Sequence, residues 1–290
     1  MTCHNRRELT LGCLETLRGQ AWFRECDLFL VDDGSSDGTG EAVRTVMPKA
    51  NVIQGSGSLF WNGGMREAWA YAVADAQNHD FYLWLNDDVR LSPGAVAMLV
   101  ADADSVVARG EAVIVAAATN EPGQDTITYG GHRRPDPRRP LRLSLVAPAG
   151  HPVPIDSISG NIVLVSAAAQ RKVGNIAPDF VHIYGDIDYA FRARRMGVPV
   201  VLASRVGGTC GANSSAGSSL DEAMGTWARL KRRWAEDRKL HAQDWRRFVR
   251  LHGRGPLDVV LHRVSPYLRI IVDRPNRHAA HIAGSSDSAG

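Results

Sequence analysis

Twice within its first ninety residues the chain runs a short apolar stretch into adjacent aspartates. Phe81-Tyr82-Leu83-Trp84-Leu85 leads into Asn86-Asp87-Asp88, and Cys26-Asp27-Leu28-Phe29-Leu30-Val31 leads into Asp32-Asp33. An apolar run bounded by a polar turn reads as a buried strand. Paired carboxylates at its end are poor core material, because burying such charges without partners is strongly unfavourable. Held at the edge of a sheet, they suit a hard divalent cation such as Mg²⁺ or Mn²⁺, which prefers oxygen ligands and shares them with substrate phosphates. From either run alone, a solvated turn or a helix cap is an equal reading.

The order of elements narrows the choice. Residues 9–19 carry Leu9, Cys13, Leu14 and Leu17 on one helical face. The Gly/Ser turn after Asp33 leads to a helix near Thr39, with Asp37 or Thr39 as its cap. A third short strand at 51–54 precedes the glycine-rich loop 55–65, which contains Trp61, and a helix follows from Arg66 to Gln77. Strand and helix thus alternate, which predicts an α/β fold with a mostly parallel sheet. In such sheets ligands bind at the carboxyl ends of the strands, where both aspartate pairs fall. Met1-Thr2-Cys3-His4-Asn5-Arg6-Arg7 reads as the end of a strand running into a polar turn, with almost nothing before it.

Farther along, residues 94–109 read as a helix and 112–118 as a strand of small apolar residues. A Pro/Gly/Arg-rich excursion at 121–142 is expected to form a hairpin around Tyr129-Gly130-Gly131. A strand at 162–165 and a helix at 166–173 come next. Asp186-Ile187-Asp188 opens a helix that ends at Gly197, a strand spans 198–203, and the Gly/Ser/Asn-rich stretch 207–219 reads as a mobile loop. Residues 220–273 are helical, with Trp227 and Trp234 at helical spacing, and 274–290 read as a disordered tail. Two readings of the helical segment stay open: a subdomain packing its aromatic stripe on the sheet domain, or a basic amphipathic surface that meets an anionic membrane.

Bulk properties exclude several classes. The net charge is only +3 across 290 residues, so nucleic acid is not an expected partner. Four cysteines stand without CxxC spacing, which argues against a zinc knuckle and fits a reducing, cytoplasmic compartment. No apolar run approaches the roughly 18 residues of a membrane span. The first strand is not followed by GxGxxG, no GK[ST] loop occurs, and the Gly55-Ser56-Gly57-Ser58-Leu59 stretch lacks the last glycine of a nucleophile elbow.

In combination these motifs carry a resemblance. Val31-Asp32-Asp33-Gly34-Ser35-Ser36-Asp37-Gly38-Thr39 resembles the nucleotide-binding motif of family 2 glycosyltransferases, and Leu85-Asn86-Asp87-Asp88 resembles their DxD-type metal motif. Tyr184-Gly185-Asp186-Ile187-Asp188-Tyr189 with Arg192 is similar to their catalytic acidic motif. Thr2-Cys3-His4-Asn5-Arg6 matches the end of their first strand. Trp61-Asn62-Gly63-Gly64-Met65-Arg66 and Ser159-Gly160-Asn161 are similar to segments of a rhamnosyltransferase-like bacterial subgroup that builds surface polysaccharides.

The resemblance implies a GT-A fold with a C-terminal helical extension. The catalytic domain would span 1–219, with a nucleotide half at about 1–90 and an acceptor half at about 91–219. Asn5, Asp32, Asp33, Trp61, Asn62, Gly63, Gly64, Arg66 and Asp87 would serve the donor, a dTDP- or UDP-linked sugar. Asp88 would hold Mg²⁺ or Mn²⁺. Gly160, Asn161, Tyr184 and Arg192 would face the acceptor, a glycan or a lipid-linked hydroxyl. Asp186 would be the base, with Asp188 second. Gly185 stands where the family usually has Glu, and 207–213 lacks the family's later metal-binding histidine. The implied reaction is an inverting, metal-dependent sugar transfer in the cytoplasm, at the inner membrane face if the basic helices dock there. Nucleotidyl transfer, or silent binding of a nucleotide sugar on the same scaffold, are the alternatives.

Overall fold

The computed structural model describes residues 1–272 apart from 76, 78, 214 and 239. The expected disordered tail therefore lies outside the described residues. The chain divides after Ala212 into two compact units.

The first unit opens with β1 (Thr2–Cys3), α1 (Arg7–Arg18), β2 (Phe29–Asp32), α2 (Thr39–Val46), β3 (Asn51–Gln54), α3 (Phe60–Ala74) and β4 (Phe81–Leu85). The strands β1, β2 and β3 form a parallel ladder in that order, with Thr2 opposite Val31 and Val31 opposite Ile53. The amine of Met1 is buried and donates to the carbonyl of Phe29, and that burial lowers its pKa to about 6.

The chain continues through β5 (Arg90–Leu91), α4 (Ala95–Val106), β6 (Ile114–Asn120), β7 (Ile127–Tyr129), β8 (Gly131–Arg133) and β9 (Ser144–Val146). It then forms β10 (Val153–Pro154), β11 (Ser157–Ile158), β12 (Ile162–Ser166), α5 (Ala167–Val173), α6 (Gly185–Arg195) and β13 (Val200–Thr209). The main sheet runs β10-β13-β6-β12-β4. Its strands alternate between two cores, as period-2 geometry requires. Leu85, Val115 and Leu164 join α1 and α4 on one face, while Trp84, Ala116 and Val163 join α3 and α6 on the other.

A mostly parallel sheet was expected; the ladder is parallel for β1 to β3 and between β6 and β13, but β12 runs antiparallel to both β4 and β6. This has a consequence for function. Ile162 pairs with Leu85, so the start of β12 meets the end of β4 and carries Gly160 and Asn161 to the aspartate motif.

Three local expectations also change. The glycine-rich stretch is already helical from Phe60, because Asp33 accepts the N–H groups of Leu59 and Phe60 and so caps α3. Gly64 lets that helix lie directly on β1, since a Cβ there would collide with Thr2 Oγ1. At Tyr129-Gly130-Gly131 the chain does not turn back on itself but changes sheets, β7 pairing with β6 and β8 with β9 and β11. Gly130 makes this switch at φ 150°, against Ala118. Finally β13 extends to Thr209, through Gly207 and Gly208, where a loop was expected to begin. A Cβ on Gly208 would strike the carbonyl of Arg90 in β5, so the glycine permits the pairing.

The second unit contains α7 (Thr226–Glu236), α8 (Leu240–His252) and α9 (Pro256–Val272). Helix α9 packs against both α7 and α8. Its Tyr267 hydroxyl donates to Asp237, and His262 sets its ring edge-on to Trp245.

Candidate active site

The end of β4 is locked in place before its carboxylates begin. The Asn86 N–H donates to the Asn161 carbonyl at 3.0 Å, and Asn86 Oδ1 accepts from Trp61 Nε1 at 2.7 Å. Beyond it, Asp87 is buried and Asp88 is half-buried. The Arg6 guanidinium lies between them, with Nη1 2.8 Å from Asp87 Oδ1 and 3.2 Å from Asp88 Oδ2. Asp87 Oδ2 is buried with no hydrogen-bond partner. Burial raises the Asp87 pKa to about 6, with Arg6 working in the opposite direction.

Cys210, just past β13, approaches Asp88 from another side, its Sγ 3.5 Å from Asp88 Oδ1. The thiol is buried, and burial followed by the charge of Asp88 pushes its pKa up to about 12. Two carboxylates already facing one cationic atom, with a buried carboxylate oxygen that has no partner, make an oxygen donor set that fits a hard divalent cation. Asp88 and Asp87 would hold it.

Asp186, in the first turn of α6, is half-buried. Its Oδ2 accepts the Gly160 N–H and its Oδ1 the Ile187 N–H, both at 2.8 Å. Burial raises its pKa nonetheless. The two motifs meet around Trp61. A Cβ on Gly160 would collide with the Trp61 ring and come 3.4 Å from Asp186 Cβ. Thus Gly160 separates an indole that is bonded to Asn86 from the carboxylate that Gly160 itself holds.

Asp188 differs. It is buried, it pairs with Arg192 Nε at 2.8 Å, and Arg192 donates as well to the carbonyls of Val173 and Asn175. The Arg192 guanidinium also lies over the Tyr189 ring. The pair therefore fastens α6 to the segment after α5. These bonds set Asp188 apart from Asp186, whose carboxylate accepts only backbone N–H groups in the bonds described above.

Several residues expected at the donor also make hydrogen bonds within the fold. Asp32 is buried and accepts the N–H groups of Ser35 and Gly40, tying the turn to α2. Asp33 is buried too; its oxygens accept from Gly57, Leu59 and Phe60. Asn62 is fully buried and donates to the carbonyls of Ala177 and Phe180. Gly64 is buried against Thr2, with Gly63 one residue before it on the helix. Asn5 takes φ 50° and accepts from Ser36 N–H, holding the turn beside Arg6. Arg66 is exposed, and Tyr184 takes φ 70° at the N-cap of α6.

Arg6 and Cys210 were missed. The strand-end rule that singled out the aspartates applies equally to the residues after β1 and β13, where both lie. A separate convergence, Asp27, Asp75 and His79, places ligand atoms within 4.8 Å of one another. These residues precede β2 and β4, whereas the residues described above follow them.

Comparison with solved structures gives the fold class. Residues 1–349 of S. aureus TarS in complex with UDP-GlcNAc share 12% identity at TM-score 0.56, covering 93% of this chain and 80% of that one. The mannosyltransferase PcManGT from Pyrobaculum calidifontis, in complex with GDP-Man and Mn²⁺, shares 14% identity at TM-score 0.52, covering 97% and 76%. GalNAc-T7 with UDP, GalNAc and Mn²⁺ shares 12% at TM-score 0.54, covering 92% of this chain and 57% of that one. The architecture is that of GT-A glycosyltransferases. A comparison with curated proteins gives no match. Residues 1–159 match the family described as Glycosyl transferase family 2, more than half of the chain, and the protein belongs to that family.

Proposed function

We propose that the protein is an inverting, metal-dependent glycosyltransferase that moves a sugar from a nucleoside diphosphate to a hydroxyl of a glycan or lipid-linked acceptor. The observation that carries this reading is the joining of two carboxylate stations through Trp61: Asp87 and Asp88 facing a cation on one side, Asp186 on the other. Nucleotide sugars in the TarS and PcManGT complexes support the donor class, and Mn²⁺ in the PcManGT and GalNAc-T7 complexes supports the metal.

Each residue has a definable task. Asp186 accepts the proton of the acceptor hydroxyl, and its raised pKa makes it the stronger base for that step. The acceptor oxygen bonds to the anomeric carbon from the face opposite the diphosphate. The bond from that carbon to the phosphate oxygen breaks, and its electron pair leaves with the nucleoside diphosphate. One displacement inverts the carbon and needs no covalent enzyme intermediate. Asp88 and Asp87 would hold a divalent cation, which when bound would supply Lewis-acid neutralisation of the leaving diphosphate. Arg6, bonded to both carboxylates, contributes positive charge at the same place. Gly160 holds Asp186 through its N–H, and Trp61 offers an aromatic face beside it.

The acceptor side rests on the resemblance to polysaccharide-building enzymes and leads to a bacterial cell-envelope setting. The test is a panel of dTDP-, UDP- and GDP-sugars, read by thermal shift with Mn²⁺ and then by product analysis. A matched donor should raise the melting temperature only with metal and should release nucleoside diphosphate and an inverted glycoside. Release of pyrophosphate would mark nucleotidyl transfer instead, and stable binding without turnover would mark a silent scaffold.

A further inference from the structure

Helix α9 has two apolar faces, and only one of them has a partner within its unit. Ile270 is buried, Tyr267 bonds to Asp237, and His262 meets Trp245, so the side carrying 259, 262, 267 and 270 faces α7 and α8. On the opposite side Leu257, Val260, Leu261, Val264, Leu268 and Ile271 recur at helical spacing, and all six are exposed. Leu257 keeps 78% of its surface in solvent. At 100° per residue these six fall within one arc that contains no charged residue. The helix's Asp and Arg residues, Asp258, Arg263 and Arg269, all lie outside this arc, with Asp258 on one side of it and Arg263 on the other. A continuous apolar stripe of this kind marks an interaction site.

The charge around it selects the partner. From Thr226 to Val272 the chain carries twelve Lys or Arg against four Asp or Glu, while the whole protein has a net charge of only +3. The basic surplus is therefore concentrated in these three helices. Trp227 on α7 is 85% exposed, and Trp234 one heptad later is exposed with the Arg238 guanidinium over its ring. Exposed indoles beside Arg and Lys, together with an apolar helix face, are the features of a segment that lies in a headgroup region. Two copies of so basic a unit would repel one another, which disfavours self-association through this face. No described helix is long and apolar enough to cross a membrane, so the stripe suits lying on a bilayer, not spanning it.

We infer that the outer face of α9, flanked by the basic surface of α7 and α8, docks on an anionic lipid bilayer. This inference is independent of the sugar-transfer reaction, because it is read by binding alone. The test is co-sedimentation of the full chain with vesicles of phosphatidylcholine alone or mixed with phosphatidylglycerol. The protein should bind the anionic vesicles at least ~10-fold more tightly, and binding should weaken as salt shortens the screening length. The L261E/L268E variant should lose at least ~10-fold of that affinity with its circular dichroism unchanged, since both side chains already face solvent. Arg232→Glu with Arg246→Glu should weaken binding to anionic vesicles and leave the weak binding to neutral ones as it was. Equal binding to both vesicle types, or none to either, would overturn the inference. So would a dimer in sedimentation velocity that the L261E/L268E change converts to monomer without any vesicle binding in the wild type.

Discussion

Replacing Asp186 and Asp188 separately by Asn should give opposite phenotypes, although only Ile187 lies between them. Asp188 is buried with its carboxylate 2.8 Å from Arg192, whose side chain is three-quarters buried. Deleting one member of a buried ion pair costs about 3–5 kcal/mol, because the other charge stays behind. Arg192 keeps two carbonyl acceptors and some solvent, so the lower end, about 3 kcal/mol, applies here. In a protein of this size 1 kcal/mol corresponds to roughly 2–4 °C, which predicts a melting temperature about 6–12 °C lower for Asp188→Asn. Its kcat, measured well below that transition, should stay within a few-fold of wild type. Asp186→Asn removes a charge that burial disfavours but leaves one of two backbone N–H groups without its acceptor, so stability should change less than in Asp188→Asn, while kcat falls by about 10²–10⁴. The assays are thermal unfolding and single-turnover sugar transfer on the same preparations. If Asp188→Asn abolished turnover at unchanged stability while Asp186→Asn stayed active, the assignment of base and anchor would be reversed.

Other perturbations follow the same geometry. Asp33→Ala strips acceptors from three backbone N–H groups, so it should destabilise the fold by about 3 kcal/mol in chemical denaturation; an unchanged midpoint would refute its framework role. Asp87 is raised from 3.8 to about 6 in the fold, so its stabilising contribution is present below about pH 4 and is lost as pH rises through 6. Asp87→Asn should therefore raise metal-free stability at pH 7.5 by about 3 kcal/mol and flatten the pH 4–6 slope, with metal binding lost; equal pH profiles for the two proteins would contradict this. Cys210→Ser exchanges a soft donor beside Asp88 for a hard one, so by calorimetry it should weaken Cd²⁺ binding more than Mg²⁺ binding, and parallel losses would refute a sulfur contact.

Much of this architecture was legible because strand ends are chemically conspicuous. Leu85-Asn86-Asp87-Asp88 declares both the strand and the turn that leaves it, and the βα alternation through residue 85 follows from apolar periodicity alone. What was not legible was pairing direction. The run at 162–166 is as apolar as any parallel strand, and nothing local says that Ile162 lies opposite Leu85. Residue type also said little about who a carboxylate's partners are. Asp32, Asp33 and Asp188 look like ligand groups in the sequence, yet each is held by partners that only folding brings together. Gly40 and Gly57 hold the first two, and Arg192 holds the third. Arg6 and Cys210 went unnoticed for the converse reason. Neither belongs to an acidic motif, and they meet Asp88 only because β1 and β13 end at the same edge as β4.

The central claim is that Asp88 and Asp186 serve one transfer reaction. The most direct test is Mn²⁺-dependent release of nucleoside diphosphate from a matched nucleotide sugar in the presence of acceptor, compared between wild type and Asp88→Ala. The account predicts steady release by the wild type, an inverted glycoside as the paired product, and loss of at least ~100-fold in the variant at unchanged circular dichroism. Full activity of Asp88→Ala, or metal-independent turnover by the wild type, would contradict it.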